Sequence, residues 1–269
     1  MIAAMKFEMR RHGALEYAVS PILPCRHAFT TRYGGVSTGH LASLNLGENR
    51  GDTQENVREN YCRLCSALGV EETSLIFSRQ VHGNDVRVVT KADRHALFAP
   101  IPYEADALVT NEPGNVLTIF TADCVPVLLC DAEHSVIGAA HCGWRSSVAD
   151  MLGNTIHEMC RLGAEEKSIR AAIGPSIGAC CFETGPEVPE AVENWLGADA
   201  GAFIRSKADT AGKFLVDLRG ANAARLLQLG VPKENISISD ECTMCKSEKY
   251  WSHRATKGLR GTQASLIVL

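Results

Sequence analysis

A chain of 269 residues with 45% apolar and 22% charged residues can bury one large core, and its ordinary composition excludes a disordered, collagenous or coiled-coil protein. A net charge of −4 argues against a globally basic nucleic-acid binder, and the longest apolar passage, from Val116 to Cys130, carries Asp123 and Pro126 and falls short of the roughly 20 residues of a membrane span. Eleven cysteines, an odd number, cannot all pair within the chain. No secretory leader is readable in residues 1–11, which are broken by Lys6, Glu8, Arg10 and Arg11, so the expected compartment is the reducing cytoplasm, where thiols act as ligands, nucleophiles or small core residues.

Residues up to 60 are rich in turn formers. Thr31-Arg32-Tyr33-Gly34-Gly35-Val36-Ser37 and Ser43-Leu44-Asn45-Leu46-Gly47 suit loops whose backbone approaches a neighbour closely. Val57, Tyr61, Leu64, Cys65 and Leu68 recur at helical spacing and predict a helix over 56–68, capped by Asp52 or Thr53. Strands are expected at 75–77 and 85–90, around the Gln80–Asn84 turn. Four apolar runs, at 107–110, 116–121, 125–130 and 136–140, read as buried central strands. Residues 144–162 predict one helix with Val148, Met151, Leu152, Ile156 and Met159 on one face. A strand at 169–173, a loop Gly174–Gly178, a helix at 189–196, a strand at 213–216, a helix at 218–229, and strands at 236–238 and 265–269 follow. No linker divides these elements. The expectation is a single domain over 1–269 of class α/β (α+β), with mixed sheets layered between helices as an αββα-type sandwich.

Three apolar segments run into a turn bearing a metal-capable side chain: Gln80-Val81-His82-Gly83, Ala122-Asp123-Cys124-Val125 and Ala140-His141-Cys142-Gly143. Two imidazoles and one thiolate suit Zn²⁺, and three protein ligands leave the fourth tetrahedral position for water or substrate. The separations, 42 residues (82 to 124) and 17 (124 to 141), resemble no zinc finger. Spacing alone therefore leaves open a plainer reading in which Cys124 fills core and each His is a satisfied loop residue. Two C-x-x-C pairs, Cys62/Cys65 and Cys242/Cys245, lie 177 residues apart (65 to 242), far beyond ribbon spacing. Cys142, Cys180 and Cys181 read as packing residues, and Cys25, Cys130 and Cys160 carry no signal. Trp144 and Trp251, near His141 and His253, suit either a pocket wall or the core.

Taken together, these motifs, with Ala105-Asp106-Ala107-Leu108-Val109-Thr110, Thr121-Ala122-Asp123-Cys124-Val125-Pro126, Ala140-His141-Cys142-Gly143-Trp144-Arg145, Gly174-Pro175-Ser176-Ile177-Gly178 and Trp251-Ser252-His253-Arg254, resemble the YfiH-like, laccase-domain-containing family. Its members were once called multicopper polyphenol oxidases and are now regarded as purine nucleoside phosphorylases. The resemblance implies Zn²⁺ on His82, Cys124 and His141, with copper as the alternative metal. It also implies purine nucleosides and phosphate as substrates: adenosine, inosine and 5′-methylthioadenosine, with accessory adenosine deamination. Phosphorolysis passes through a cationic ribosyl transition state and needs a cradle for phosphate, a means of activating the purine and contacts to ribose. Arg254 and Arg32 suit phosphate through forked N–H donors, with the Gly34-Gly35 amides as further donors. Asn45 or Ser37 suits ribose, and His253 suits positioning or proton transfer. Asp123 either exchanges protons or orients its loop. The family's Thr-Gly-Arg-Gln-Ala is replaced by Arg260-Gly261-Thr262-Gln263-Ala264, which shifts that arginine's role towards Arg260.

Three other readings compete. Cys124 with His141 as base would make a Cys-His hydrolase or deamidase. A copper-dependent phenol oxidase would need more histidine ligands than the His82 and His141 motifs supply. A zinc-stabilised interaction module would close the site with a fourth protein ligand. A homodimer is compatible with the resemblance, and no nucleic-acid or membrane partner is expected.

Overall fold

The structure, a computed structural model, describes residues 2–208 and 210–269. The chain opens with β1 (Glu8–His12), β2 (Leu15–Val19) and β3 (His27–Thr30), passes through α1 (Gln54–Leu68), and continues as β4 (Leu75–Ile76), β5 (Val86–Val88), β6 (Ala107–Thr110), β7 (Val116–Thr121), β8 (Val125–Asp131) and β9 (Val136–Cys142). There follow α2 (Trp144–Val148), α3 (Met151–Arg161), β10 (Arg170–Ile173), β11 (Glu183–Thr184), α4 (Glu187–Leu196), β12 (Ile204–Ser206), β13 (Phe214–Val216), α5 (Leu218–Gln228), β14 (Ile236–Ile238), the single turn α6 (His253–Thr256) and β15 (Gln263–Val268).

Two mixed six-stranded sheets form, ordered β1-β2-β3-β15-β7-β4 and β14-β10-β8-β9-β6-β5, with a small β11-β13-β12 sheet beside them. Alternation along each strand sorts the side chains into layers. Phe29, Leu117, Ile119 and Ile267 of the first sheet meet Leu108, Leu128, Ile137 and Ala172 of the second in the inter-sheet core. The outer face of the second sheet, including Val109, Val127, Ala140 and Ile173, is covered by Leu152, Ile156, Val192 and Leu226 of the helices. The first sheet's outer face is covered by Val57, Tyr61, Leu64 and Leu68 of α1. The layering is the expected αββα sandwich. Among the described residues, no helix is long and apolar enough to cross a membrane.

The central strands lie where the apolar runs placed them, and α1 is capped by Thr53, whose side chain accepts from Asn56 N at 3.2 Å. Three departures are informative. The N-terminal strands β1 to β3 are absent from the sequence reading because β1, EMRRH, is almost wholly exposed and carries no alternation. The helix expected over 144–162 is two helices, broken at Asp150, which takes φ 63°. Asp150 makes paired bonds of 2.7 Å to Arg225 Nε and Nη2 and accepts from Trp195 Nε1, so a tertiary contact overrides helical periodicity. Finally, Cys25 and Cys130, which carry no signal in the sequence, are joined as a disulfide at the inter-sheet layer.

Candidate metal centre and its pocket

One end of the sandwich is where the chain crosses from β7 to β8, from one sheet to the other, through Ala122-Asp123-Cys124. The starts of β6 and β15 and the end of β9 lie at this same end: Thr121 pairs with Gln263, Val125 with Cys142, and Ala107 with Ala140. Period two then aims the side chains. His141 shares its face with Ala139 and Ile137, and Asp106 with Leu108, so both point into the inter-sheet space at its open rim.

The three candidate ligands converge. The ligand atoms of His82, Cys124 and His141 lie within 4.8 Å of one another. Cys124 Sγ is 3.8 Å from His82 Nε2, and the two imidazoles meet edge-on with centroids 4.9 Å apart. Asp106, fully buried, organises them with one carboxylate. Its Oδ1 accepts from His82 N at 3.0 Å and pairs with His141 Nδ1 at 2.7 Å, while Oδ2 accepts from Val81 N at 3.0 Å and Gly83 N at 2.8 Å. This fixes the His82 turn, held at φ 60°, and leaves His141 Nε2 for a ligand. Asp106 lay within a recognised motif, but nothing in its local pattern marked it as the group holding the histidines.

The donor set fits a metal ion. Two nitrogens and one sulfur are zinc-type ligands, and no fourth protein ligand joins them among the described residues. Gly143 completes the fit: a Cβ there would lie 3.0 Å from His82 Cδ2, 3.5 Å from Cys124 Sγ and 3.7 Å from His141 Cε1. Burial alone would raise the Cys124 thiol, but the neighbouring His141 charge and hydrogen bonds from both histidines outweigh it and hold it down to about 6. Burial would likewise lower His141, and the Cys124 thiolate and Asp106 reverse the direction.

Two connected lobes open on this centre, sharing His82, Ala122, Cys124 and Arg260. The larger, of about 270 Å³, has apolar walls from Trp144, Ile177, Phe182 and Leu218, and is also lined by Asp123, His253 and Arg254. The smaller, of about 180 Å³, is less apolar than the larger and includes Arg50, Ser78, Gln80, Thr121 and Thr262 beside Phe120. Arg260 Nε, Ser78 Oγ and Thr121 Oγ1 are buried without a hydrogen-bond partner. Burial, followed by repulsion from Arg50, pushes Arg260 down to about 10. Arg50 reaches Thr262 Oγ1 at 3.3 Å; it lay in a turn-rich stretch and had no sequence signal.

The other expected site residues divide. His253 presents an exposed imidazole to the larger lobe, and Arg254 lines it while donating to Glu183 O at 3.0 Å. Asp123 lines the lobe at φ 90°, with Oδ1 accepting from Thr243 Oγ1 and Oδ2 from Arg254 N, each at 2.7 Å. It thus ties the walls together. Arg32, Ser37 and Asn45 are not brought to the pocket lining. Arg32 donates to Ala42 O and Ser247 O and stacks 3.9 Å from the Trp251 ring centre. Ser37 accepts from Asn60 Nδ2 at 2.8 Å, and Asn45 bridges Gly47, Asp52 and Thr262. The Gly34-Gly35 turn is close-packed rather than an anion cradle, since a Cβ on Gly35 would lie 2.2 Å from Ser43 O. Trp251 is core, donating to Leu44 O at 2.9 Å.

A family profile described as multi-copper polyphenol oxidoreductase laccase matches residues 26–269. The chain belongs to this YfiH-type, laccase-domain family. It is 40% identical over 250 residues to a purine nucleoside phosphorylase of Deinococcus radiodurans, covering 93% of this chain and 91% of that protein. It is 38% identical over 232 residues to adenosine deaminase RL5 of an unknown prokaryotic organism, covering 84% and 87% respectively. The crystal structure of YlmD from Geobacillus stearothermophilus superimposes with a TM-score of 0.90 at 31% identity, covering 97% of this chain and 98% of that one.

Proposed function

We propose that this laccase-domain protein is a zinc-dependent purine nucleoside phosphorylase, acting on adenosine, inosine and 5′-methylthioadenosine, with adenosine deamination as an accessory reaction. The observation that carries the reading is the His82–Cys124–His141 set opening onto a cavity lined by Arg260, whose Nε is buried without a protein partner. Such a group calls for an anionic ligand, because a buried donor without an acceptor costs about 1–3 kcal/mol. Phosphorylase and deaminase names among the relatives support the same reading.

The two lobes divide the substrates by polarity. Phosphate fits the smaller lobe, where Arg260 and Arg50 supply charge and Ser78 and Thr121 supply hydroxyls. A purine fits the apolar walls of Phe182, Ile177, Leu218 and Trp144. In phosphorolysis a phosphate oxygen bonds to the ribose anomeric carbon as the carbon–nitrogen bond breaks, and the electron pair leaves with the purine. A zinc ion held by His82, Cys124 and His141 would supply Lewis-acid polarisation beside the reacting bond. Arg260 holds the phosphate against the anomeric centre, and the apolar walls exclude water that would otherwise compete with phosphate. His253, which lines the larger lobe, moves the proton to the leaving base. Asp123 positions the Thr243 and Arg254 segments, because both its oxygens already accept protein hydrogen bonds.

Incubation of the zinc-loaded protein with adenosine and phosphate is expected to yield adenine and ribose 1-phosphate, and His82→Ala is expected to abolish both. Absence of products with phosphate, together with no effect of His82→Ala on any reaction, overturns the proposal. Inosine formed without phosphate measures the deaminase reaction. The lowered Cys124 thiol favours a second reading, a Cys-His hydrolase. Alkylation of Cys124 blocked by zinc supports the metal reading; alkylation indifferent to zinc, with a trapped covalent intermediate, supports the hydrolase.

A further inference from the structure

A second set of metal-capable side chains lies beside the pocket and plays no part in the chemistry above. Cys180 and Cys181 follow β10, and Cys242 and Cys245 follow β14. Neighbouring positions in the sheet explain the meeting, since β10 and β14 run parallel with Ile173 paired to Ile238, so their following loops leave the same end. The four sulfurs all lie within 4.8 Å of one another. Cys180 Sγ is 3.5 Å and Cys181 Sγ 3.3 Å from Cys245 Sγ, although Cys181 and Cys245 are 64 residues apart in sequence. The C-x-x-C pair at 242 and 245 therefore meets Cys180-Cys181, and Cys62/Cys65 stay on α1, outside this cluster.

We propose that Cys180, Cys181, Cys242 and Cys245 bind a structural zinc ion through four thiolates. Four sulfurs about a tetrahedral zinc at about 2.3 Å are separated by about 3.8 Å; here two of the separations are 3.5 and 3.3 Å and none exceeds 4.8 Å, so small side-chain shifts would seat the ion. A closed set of four sulfurs selects a soft-ligand tetrahedral ion and leaves no coordination position for substrate. The backbone is already arranged for thiolate sulfur: Cys242 Sγ accepts N–H from Gly178 at 3.2 Å and from Cys245. Gly178 permits the approach, because a Cβ there would lie 3.3 Å from Cys180 Sγ and 2.7 Å from an Arg219 guanidinium nitrogen.

The ion joins two walls of the substrate pocket. Ile177 and Phe182 flank Cys180-Cys181 and line the larger lobe. Thr243, between Cys242 and Cys245, donates to Asp123, and its amide donates to Ser176 O at 3.0 Å. Zinc at the four cysteines thus staples the loop after β10 to the turn after β14, and binding releases the thiol protons to solvent.

The test uses the full chain, purified under reducing conditions and loaded with zinc alone. Cys181→Ser/Cys245→Ser is expected to lose one zinc equivalent per chain. Cobalt(II) substituted into the wild type is expected to show strong four-thiolate charge-transfer absorption, which falls in this variant to the weaker single-thiolate band of Cys124 and is retained in Cys124→Ser. Because Cys124→Ser affects only the catalytic set, failure of one site is distinguishable from failure of the other. Peptide mapping of the wild type, which needs no variant, is expected to show these four cysteines protected from alkylation by zinc and released by chelator. Equal zinc content and identical cobalt spectra in wild type and Cys181→Ser/Cys245→Ser overturn the proposal. So does a disulfide among these four cysteines in reduced, zinc-loaded protein, located by peptide mapping.

Discussion

Replacing Asp106 by Asn removes one negative charge and changes almost no volume, so its consequences follow from hydrogen-bond accounting. All four of the carboxylate's contacts are N–H groups: Val81 and Gly83 on one oxygen, His82 and His141 on the other. An amide offers one oxygen and one NH₂. With the NH₂ towards Val81 and Gly83, two buried donors face donors. With the NH₂ towards His82 and His141, one backbone donor is orphaned, and His141 must accept at Nδ1, which moves its proton onto Nε2, the nitrogen needed for a metal. The second orientation is the cheaper for folding, at about 1–3 kcal/mol for one orphaned buried donor, and it removes a ligand. In chelator the melting temperature is expected to fall by about 2–6 °C, taking about 2 °C per kcal/mol for a chain of this size. Zinc affinity, measured by competition with a chromophoric chelator, is expected to fall about 10–100-fold, as for other lost carboxylate–histidine–metal contacts. Wild-type melting temperature and wild-type zinc affinity together would refute the role given to Asp106.

Three further outcomes are expected. Gly143→Ala, at a position with φ −62° that Ala adopts freely, is expected to keep wild-type thermal stability. It is expected to weaken zinc binding about tenfold, because its Cβ presses on His82 and ligand distances tolerate only about 0.2 Å; equilibrium dialysis decides. Arg260→Ala is expected to raise the KM for phosphate by about 10–100-fold, the loss of a charge-assisted hydrogen bond worth about 1.5–3 kcal/mol, with a smaller change for nucleoside in steady-state kinetics. Asp150→Asn is expected to cost about 1–2 kcal/mol at pH 7 in urea unfolding, with screening of its partly exposed pair to Arg225 included. Burial would raise the Asp150 carboxyl, but the bonds from Arg225 and Trp195 hold it below its usual value. Its contribution is therefore fully present above the unfolded value near about 3.9 and lost as the pH falls below that. The gap between wild type and variant should close in acid.

Local pattern carried the central strands, three in the second sheet and β7 in the first. The runs at 107–110, 116–121, 125–130 and 136–140 are short, apolar and bounded by turns, and each is a strand with nearly those limits. Periodicity also located α1, α4 and α5 within a few residues. It was silent for β1, whose charged side chains face solvent, and misleading across Ala149–Asp150, where the Arg225 contact breaks a pattern that reads as one helix. At the site, His82, Cys124 and His141 were legible because each sits in a recognised motif at a strand end. Arg32, Ser37 and Asn45 sit in equally recognisable motifs, yet they hold the loops around Trp251, Asn60 and Thr262.

The sequence by itself determined the apolar strands and helices and the sandwich they imply, since burial and alternation are local properties of a chain, and its family motifs singled out the three residues that can hold a metal. Only the tertiary structure decided which groups meet: Asp106 beneath the two histidines, Arg50 beside Arg260, and Cys180-Cys181 against Cys242 and Cys245. Strand order brings these partners together, and strand order depends on how whole sheets bury their faces against each other, which no local window of residues records.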